Sequence, residues 1–317
     1  MASKLTAPLR RAFATGLGMV SLGLATLCGA QASTARVHLE VGGVRRSATI
    51  VEHERLKRTP RTTIIVLHGN NRPNVRGNPA DGRGVQRSIG LDEQVRNASI
   101  LLVYPDGYEG KWNFQPGEGK IDDVAYIRAL AAKLVSDGLA DRNRIFVTGV
   151  STGGMMALRV ACDGADFIAG VAPLISALTA KQAAVCKPSR PIAMMLLNGT
   201  ANPIVPYTGG PVKLTGMTEE VVSAEATMAP FVLASACAAQ PRAVQALPDR
   251  DPNDGSIIEI ERFPGCRTLM ELVRVEGGGH TLPGRPSRTD RGVPVGAQNN
   301  DANVARLVAD FIRRAAR

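Results

Sequence analysis

The chain has 317 residues, of which 44% are hydrophobic and 21% are charged, and its formal net charge at pH 7 is +10. This length and composition suit one large or two small globular domains with a sizeable core. Because the basic residues are dispersed and only 4% of residues are aromatic, the positive charge favours a solvated surface over a nucleic-acid interface. An acidic partner such as a cell-envelope polymer is compatible with this charge.

Residues 1–32 have the three parts of a secretory signal peptide. A basic start precedes the apolar residues 12–27, and Ala30-Gln31-Ala32 has the pattern of a cleavage site. We therefore expect a secreted or periplasmic mature chain that begins near Ser33 and has no membrane segment. The alternatives are an uncleaved anchor, for which the apolar run is short, and lipidation of Cys28, which the preceding Leu27 disfavours.

The rest of the chain alternates between strand and helix patterns, which implies a mostly parallel sheet with helices on both faces and ligands at the carboxyl ends of its strands. We find no internal repeat or linker and predict one domain over residues 33–317. The predicted strands are 37–41, 47–51, 62–68, 99–104, 144–148, 168–174, 191–197, 257–263 and 269–275; the predicted helices are 121–136, 155–162, 218–236 and 301–316; and residues 70–91 form a predicted long loop.

Signal removal leaves four cysteines, an even number that favours disulfides in an exported chain. Of the three pairings that four cysteines allow, we predict Cys162 with Cys186 and Cys237 with Cys266. No Cys-x-x-Cys or His-rich cluster occurs, so we predict neither a structural nor a catalytic metal.

The segment Gly149-Val150-Ser151-Thr152-Gly153 lies between the predicted strand 144–148 and the predicted helix 155–162. A strand, a tight turn and a helix in this order form a nucleophile elbow, in which the turn exposes a serine hydroxyl and a nearby base takes its proton. The pentapeptide alone is weak evidence, because a glycine-rich chain can contain it by chance. Its context makes Ser151 the predicted nucleophile.

The base must be one of four histidines. His38 and His53 lie in the amino-terminal strand region, where a surface role is the default, and His68 ends a strand in a position that shapes the adjacent loop. His280 follows the last predicted strand and comes after the serine in the order that this arrangement uses. We predict that His280 is the general base; the alternative is a solvent-exposed loop histidine.

Negative charge that develops on a substrate oxygen requires two backbone donors. We predict the amides of Thr152 and Asn70, the latter in the loop after the first core strand; the alternative is that these residues merely turn the chain. Trp112, the only tryptophan, is a weak substrate-binding candidate, and an equally good interpretation is a core or loop anchor.

The position of the third triad member lacks a carboxylate. The segment 198–207, which follows the predicted strand 191–197, contains no Asp or Glu, and Asn202 occupies the expected place. Asparagine can accept a hydrogen bond from the histidine ring, but it cannot stabilise imidazolium as a carboxylate does. The alternatives are that Asp301 or Asp290 approaches His280, that the reaction is slow, or that the protein is not catalytic; Asp301 is equally well explained as an acid at a helix start.

These residues together resemble the polyhydroxybutyrate depolymerase and feruloyl esterase group of secreted serine esterases, which is related to carbohydrate esterase family 1. The resemblance extends over nearly all of the mature chain, although Asn202 replaces the family's Asp, Leu282 its usual tryptophan, and residues 70–90 its glycine-rich stretch. The matching stretches are Leu67-His-Gly69, Val103-Tyr-Pro-Asp-Gly107, Trp112-Asn113, Asp122-Asp-Val124, the Ser151 elbow with Ala161-Cys162, Gly199-Thr200, Val205-Pro-Tyr207, Gly265-Cys266, Gly278-Gly-His-Thr281 and Pro283-Gly284.

The resemblance implies an α/β-hydrolase fold and hydrolysis of carboxylic esters through an acyl-serine intermediate, without a cofactor. Its nucleophile matches Ser151 and its base matches His280. The implied substrate is a small-molecule or polymeric ester: a hydroxyalkanoate, a feruloyl ester or an acetyl ester. The alternatives are a weakened or inactive binding protein on the same fold, because of Asn202, and a peptidase, for which no side-chain-sorting pocket is indicated. The oligomeric state is not predicted.

Overall fold

The computed structural model of the protein describes residues 32–53, 60–69, 89–95, 98–119, 121–214, 217–238, 243–286 and 294–317. The predicted signal peptide, apart from Ala32, and most of the predicted 70–91 loop, including Asn70, lie outside the described residues.

Within this part of the chain, strands and helices alternate as the sequence patterns predict. The strands are β1 Ala32–Val41, β2 Val44–His53, β3 Arg61–Leu67, β4 Ile100–Pro105, β5 Ala140–Val150, β6 Gly170–Leu174, β7 Ala193–Gly199, β8 Gly210–Pro211, β9 Glu220–Val221, β10 Ala243–Ala246, β11 Ile257–Arg262 and β12 Met270–Glu276. The helices are α1 Leu91–Val95, α2 Asp123–Ser136, α3 Thr152–Asp163, α4 Ala180–Val185, α5 Ala224–Ala234 and α6 Val304–Ala315.

Ten strands form one mixed sheet in the order β1-β2-β4-β3-β5-β6-β7-β12-β11-β10, and β8 pairs with β9 separately. The six central strands are parallel to one another: β4, β3, β5, β6, β7 and β12. Antiparallel pairs extend the sheet at both edges. Because the central strands are parallel, the loops after β3, β5, β7 and β12 emerge at the same edge of the sheet, where ligands bind in open α/β folds.

Hydrophobic cores cover both faces of the sheet. Neighbouring side chains of β3 point to opposite faces, so Ile65 packs in the core that contains Leu130 of α2 and Leu158 of α3. Ile64 packs in the other core, with Phe311 of α6. Burial on both faces explains why the central strands are continuous hydrophobic runs instead of alternating patterns.

The predicted helix 218–236 is wrong in its first part. The helix α5 begins only at Ala224, after Ser223, whose side chain accepts a hydrogen bond from Ala226 N. The preceding Glu220–Val221 forms the short strand β9. Serine favours this capping position because its hydroxyl satisfies an amide that has no partner inside the helix. The sequence interpretation also missed the six-residue α4 and the exposed edge strand β10, which are too short for a periodicity signal.

Two disulfides join the cysteines in the predicted pairs, Cys162 with Cys186 and Cys237 with Cys266. The first links the end of α3 to the end of α4, and the second links the segment after α5 to the turn between β11 and β12. Among the described residues, the search for an apolar helix that could cross a membrane finds none.

Candidate active site

Ser151 occupies the sharp turn between β5 and α3. Its backbone has φ 56° and ψ −117°, a region that non-glycine residues adopt at a conformational cost. The turn is stabilised on both sides, since Ser151 N donates to Leu174 O of β6 and Ser151 O accepts from Met155 N of α3. Such strain persists only where the surrounding structure compensates it, and it is the geometry of a nucleophile elbow.

The two outer glycines of the elbow are required by close backbone contacts. A Cβ atom on Gly149 would lie 2.2 Å from Gly153 O, and a Cβ on Gly153 would lie 2.3 Å from His68 O. Both distances are far below van der Waals contact. The glycines therefore let α3 start directly against the ends of β5 and β3, which brings the β3 loop next to Ser151.

His280 lies in the loop after β12 and contacts Ser151. Backbone hydrogen bonds hold this loop, with Gly279 N donating to Ala297 O and His280 N donating to Val295 O at 2.5 Å. His280 Nε2 lies 3.1 Å from Ser151 Oγ. This is the distance at which a histidine can accept the hydroxyl proton of a nucleophile.

Asn202 lies on the other side of the His280 ring. Asn202 Oδ1 is 3.1 Å from His280 Nδ1 and also accepts from the backbone amides of Ile204 and Val205, each at 3.0 Å. Its Nδ2 donates to Asn198 Oδ1 at 3.0 Å. The structure therefore brings Ser151, His280 and Asn202 together, although residue 202 is 78 residues from the histidine in sequence.

The carboxylate of Asp301, one alternative to Asn202, is engaged elsewhere. Asp301 Oδ1 accepts from the amides of Arg250 and Asp251, and Oδ2 accepts from Asn299 Nδ2 at 2.9 Å. These bonds tie the segment before α6 to the loop at residues 250–251, and they do not include His280. Asp290, the other alternative, lies outside the described residues.

Burial alone lowers the pKa of His280 from 6.5 to about 4. Desolvation disfavours the charged form of a histidine, whereas an adjacent carboxylate would favour it. Asn202 is neutral and supplies no charge that would oppose the desolvation. A neutral ring is the form that can accept a proton from Ser151.

The amino-terminal end of α3 points to the region beside Ser151. The first backbone N–H groups of a helix have no partner within it, and Thr152 is the first residue of α3. A Cβ built on Gly69, just before Asn70, would lie 3.7 Å from Ser151 Cβ, so the segment after β3 passes next to the elbow. Asn70 itself lies outside the described residues, and its donor role stays a prediction.

A cluster of His68, Trp112 and Gly107 holds the end of β3. His68 Nε2 accepts from Gly107 N at 3.0 Å, and Trp112 Nε1 donates to His68 O at 2.9 Å. The His68 and Trp112 rings are in contact, with centroids 4.8 Å apart and planes tilted by 35°. Trp112 is only 6% exposed, and its contacts are those of a loop anchor, one of the two roles that the sequence suggested. Its role in substrate binding stays a prediction.

Asn198 is a site residue that the sequence interpretation did not single out. It lies within β7 and is fully buried. Its position four residues before Asn202 was the available signal, but only the fold of the intervening turn makes the two side chains meet. Among the residues that the structure describes, no group of three or more His, Cys, Asp or Glu side chains is arranged to hold a metal.

No protein-family model matches the sequence. The chain is 29% identical over 265 residues to NocK of Nocardia uniformis subsp. tsuyamanensis, named as an esterase, and the alignment covers 80% of this chain and 74% of that protein. It is 27% identical over 193 residues to feruloyl esterase B of Piromyces equi, covering 58% of this chain and 34% of that protein. The chain therefore spans only part of the length of these relatives.

The solved structure of an acetyl xylan esterase from Aspergillus awamori is similar in fold, with a TM-score of 0.53, 12% identity, and coverage of 78% of this chain and 94% of that one. At this identity the similarity concerns the fold, and it agrees with the mostly parallel sheet flanked by helices. The fold, the strained serine elbow and the named relatives lead to one assignment. The chain is similar to feruloyl esterases, has the α/β-hydrolase fold, and is an enzyme of the carboxylic ester hydrolase class.

Proposed function

We propose that the protein cleaves carboxylic esters through a covalent acyl-Ser151 intermediate. The observation that carries this proposal is the hydrogen-bonded chain from Ser151 Oγ through the His280 ring to Asn202 Oδ1, with 3.1 Å at both contacts. Ser151 Oγ attacks the ester carbonyl carbon while its proton moves to His280 Nε2. The alcohol then leaves with that proton, so that His280 acts first as base and then as acid.

Water completes the reaction by the same route. It attacks the acyl carbonyl as His280 Nε2 takes one of its protons, and the proton returns to Ser151 Oγ when the carboxylic acid leaves. The amides of Thr152 and Asn70 are the proposed donors to the negatively charged oxygen in both steps. The position of Thr152 at the start of α3 supports its part, because helix amino termini favour negative charge.

The proposed substrate class is an ester of acetate or of an aromatic acid such as ferulate, on a small molecule or a polysaccharide. The names of the relatives support this class, since they include feruloyl esterases and an acetyl xylan esterase. Hydroxyalkanoate oligomers are the other substrate that the sequence resemblance suggested, and we keep them in the test panel below.

We further propose that the protein works outside the cytoplasm. The signal-like residues 1–32 and the two disulfides support export, because disulfides form and persist in oxidising compartments.

A non-catalytic binding protein on the same fold is the second hypothesis, and Asn202 is the observation that favours it. The neutral amide cannot stabilise imidazolium as a carboxylate does, and an asparagine in this place lowers turnover of a serine protease by about four orders of magnitude. The strained backbone of Ser151 favours the enzyme instead, because strain of this kind is concentrated at active sites.

The test is hydrolysis of p-nitrophenyl acetate, methyl ferulate and hydroxybutyrate oligomers by the mature protein and by Ser151→Ala, together with covalent labelling by a fluorophosphonate. We expect turnover and labelling of the wild type and neither with Ser151→Ala. The substrate with the highest kcat/KM identifies the acyl class. Tight ligand binding without turnover or labelling would instead support the binding protein.

A further inference from the structure

We propose that Asn198 is a positioning residue that orients the side-chain amide of Asn202, and that the Asn198–Asn202 pair makes an asparagine competent at the position of a triad acid. The proposal rests on the esterase function proposed above and concerns the same site. It starts from two buried side chains, of which Asn198 is 0% and Asn202 is 5% exposed.

The backbone contacts identify which end of the Asn202 amide faces which neighbour. The amides of Ile204 and Val205 can only donate, and both contact one end of the Asn202 side chain at 3.0 Å. That end must therefore be the oxygen, since an NH₂ group there would oppose two donors. The same end contacts His280 Nδ1. The orientation thus follows from the hydrogen-bonding partners and is not an arbitrary choice between oxygen and nitrogen.

Asn198 completes this arrangement from the opposite end. Its Oδ1 accepts from Asn202 Nδ2 at 3.0 Å and from the backbone amide of Gly199, also at 3.0 Å. The Gly199 amide is again only a donor, so the end of Asn198 that faces Asn202 must be its oxygen. Asn198 Nδ2 is buried without a hydrogen-bond partner among the described residues. A buried group without a partner destabilises a fold. Here it results from the orientation of Asn198 that lets Oδ1 accept from Asn202 Nδ2.

The orientation of Asn202 sets the tautomer of His280. When Asn202 Oδ1 faces Nδ1, the proton of the neutral ring resides on Nδ1, and Nε2 is free to accept the Ser151 proton. If the amide reversed, its NH₂ group would favour a proton on Nε2, and the ring could not act as a base. The wrong tautomer is the reason given for the large loss of turnover in the corresponding Asp-to-Asn change of a serine protease.

A carboxylate at position 202 would not need Asn198 for this purpose. Both of its oxygens are acceptors, so either one would keep the proton on His280 Nδ1. The dependence of the His280 tautomer on residue 198 is therefore a specific consequence of having asparagine at 202. A residue that acted only by filling space would affect both backgrounds equally.

The test compares Asn198→Leu, which removes the acceptor at similar volume, with Asn198→Asp, which keeps it. Each is made in the wild type and in Asn202→Asp. Two-bond ¹H–¹⁵N spectra of the imidazole rings report which nitrogen of His280 carries the proton, with His280→Gln identifying its signal among the four histidines. Values of kcat and KM for p-nitrophenyl acetate and urea unfolding curves complete the set. Asn299→Leu is the matched control, because Asn299 is also buried but contacts Ser256 and Asp301.

We expect Asn198→Leu to shift the His280 proton towards Nε2 and to lower kcat by about tenfold to a thousandfold with little change in KM. Asn198→Asp should keep the tautomer and most of kcat, although a buried carboxylate destabilises the fold more than leucine does. Asn198→Asp should thus be the more active variant, and Asn198→Leu should be the more stable one. In the Asn202→Asp background, Asn198→Leu should leave the proton on Nδ1.

The proposal is overturned if Asn198→Leu leaves the tautomer unchanged in the wild type, or if it changes the tautomer equally when residue 202 is Asp. It is also overturned if Asn299→Leu alters the tautomer to the same extent. If Asn198→Leu does not fold, Asn198→Asp still tests the proposal. A proton that stays on His280 Nδ1 in that variant supports the proposal, and a proton that moves to Nε2 overturns it. The spectra need no turnover, so a wild type without esterase activity would remove the proposed function while the orientation of Asn202 is still measured.

Discussion

At the level of single residues, the pKa of His280 reflects burial beside a neutral partner, Asn202, instead of a carboxylate. In a triad with a carboxylate, the negative charge offsets the desolvation of the ring. Here Asn202 contributes an oriented dipole, and the pKa of His280 falls to about 4 through burial. The proposed base therefore stays neutral over a wide pH range, and its neutral partner would stabilise an imidazolium only weakly.

The first prediction concerns the pH dependence of kcat/KM. Protonation of His280 would abolish its proposed role as base, so activity should fall only as the pH drops through about 4, well below the ordinary histidine pKa. Asn202→Asp should move this acid limb to higher pH, because the new negative charge favours the protonated ring. The measurement is kcat/KM for p-nitrophenyl acetate between pH 3.5 and 8. A wild-type acid limb near the ordinary histidine pKa would contradict the prediction.

The second prediction concerns the strain at Ser151. Because the φ of Ser151 is 56°, replacement by glycine removes the conformational free-energy cost of a positive φ, whereas alanine retains that cost. Ser151→Gly should unfold at higher urea concentration than Ser151→Ala, with a difference of about 1 kcal/mol after allowance for the more flexible unfolded chain. Both variants lack the hydroxyl and should be equally inactive, so alanine is the matched control. Equal stability of the two would show that the turn carries no strain.

At the element scale, the loop between β4 and α2 supports the end of β3. Trp112 and Gly107 of this loop hold His68, the residue just before the segment that passes Ser151. The base of the same loop is fixed by a buried ion pair between Arg46 of β2 and Asp123 of α2, at 2.6 Å, and Asp123 also accepts from Asn113 N. Burial raises the pKa of Asp123 despite this pairing. A loop distant from Ser151 in sequence thus holds His68 and the start of the segment that passes Ser151.

The third prediction tests this support with Trp112→Phe, which keeps a stacking ring but removes the hydrogen bond to His68 O. We expect a loss of stability of about 1 kcal/mol and a lower kcat, because the segment after His68 becomes less constrained. Tyr108→Phe is the control, since Tyr108 lies in the same loop with an exposed ring. A drop in kcat/KM that comes entirely from KM would favour the substrate-binding interpretation of Trp112 instead.

The elements themselves were predictable where a pattern was long. The buried strand β3 and the helix α2 have continuous or periodic apolar residues, and their observed bounds differ from the predicted ones by one or two residues. The start of α5 was wrong, because the capping by Ser223 that ends the preceding segment is a local contact that periodicity does not report. The strand β10 is exposed on all four residues, so it lacks the burial that produces a pattern.

At the scale of the whole molecule, the two disulfides link helix ends and turns outside the central strands. The cysteine separations are 24 and 29 residues, loops for which closure stabilises a fold by about 3 kcal/mol each. The described cores lie on both faces of the sheet. The disulfides therefore add to a fold that already has extensive burial.

The fourth prediction follows for the double variants Cys162→Ala/Cys186→Ala and Cys237→Ala/Cys266→Ala. Each should lower the free energy of unfolding by about 3 kcal/mol, measured by guanidinium unfolding, and dithiothreitol should destabilise each variant further, because each retains the other disulfide. The second pair is distant in sequence from the elbow, whereas Cys162 lies in α3 itself. Unchanged stability in both variants would mean that neither bond constrains the unfolded chain.

The fold class, the nucleophile and base candidates, and the lack of a carboxylate at the expected acid position were all predictable from the sequence alone. Glycines around a serine, strand runs and cysteine parity are local or compositional features, and they are visible without coordinates. The folded chain was needed to show that Asn202 contacts His280 while Asp301 is bound elsewhere. It was also needed to show that Trp112 anchors His68 and that Asn198 contacts Asn202. Hydrogen bonds depend on distances of a few tenths of an ångström between residues far apart in the chain, and no local pattern encodes them.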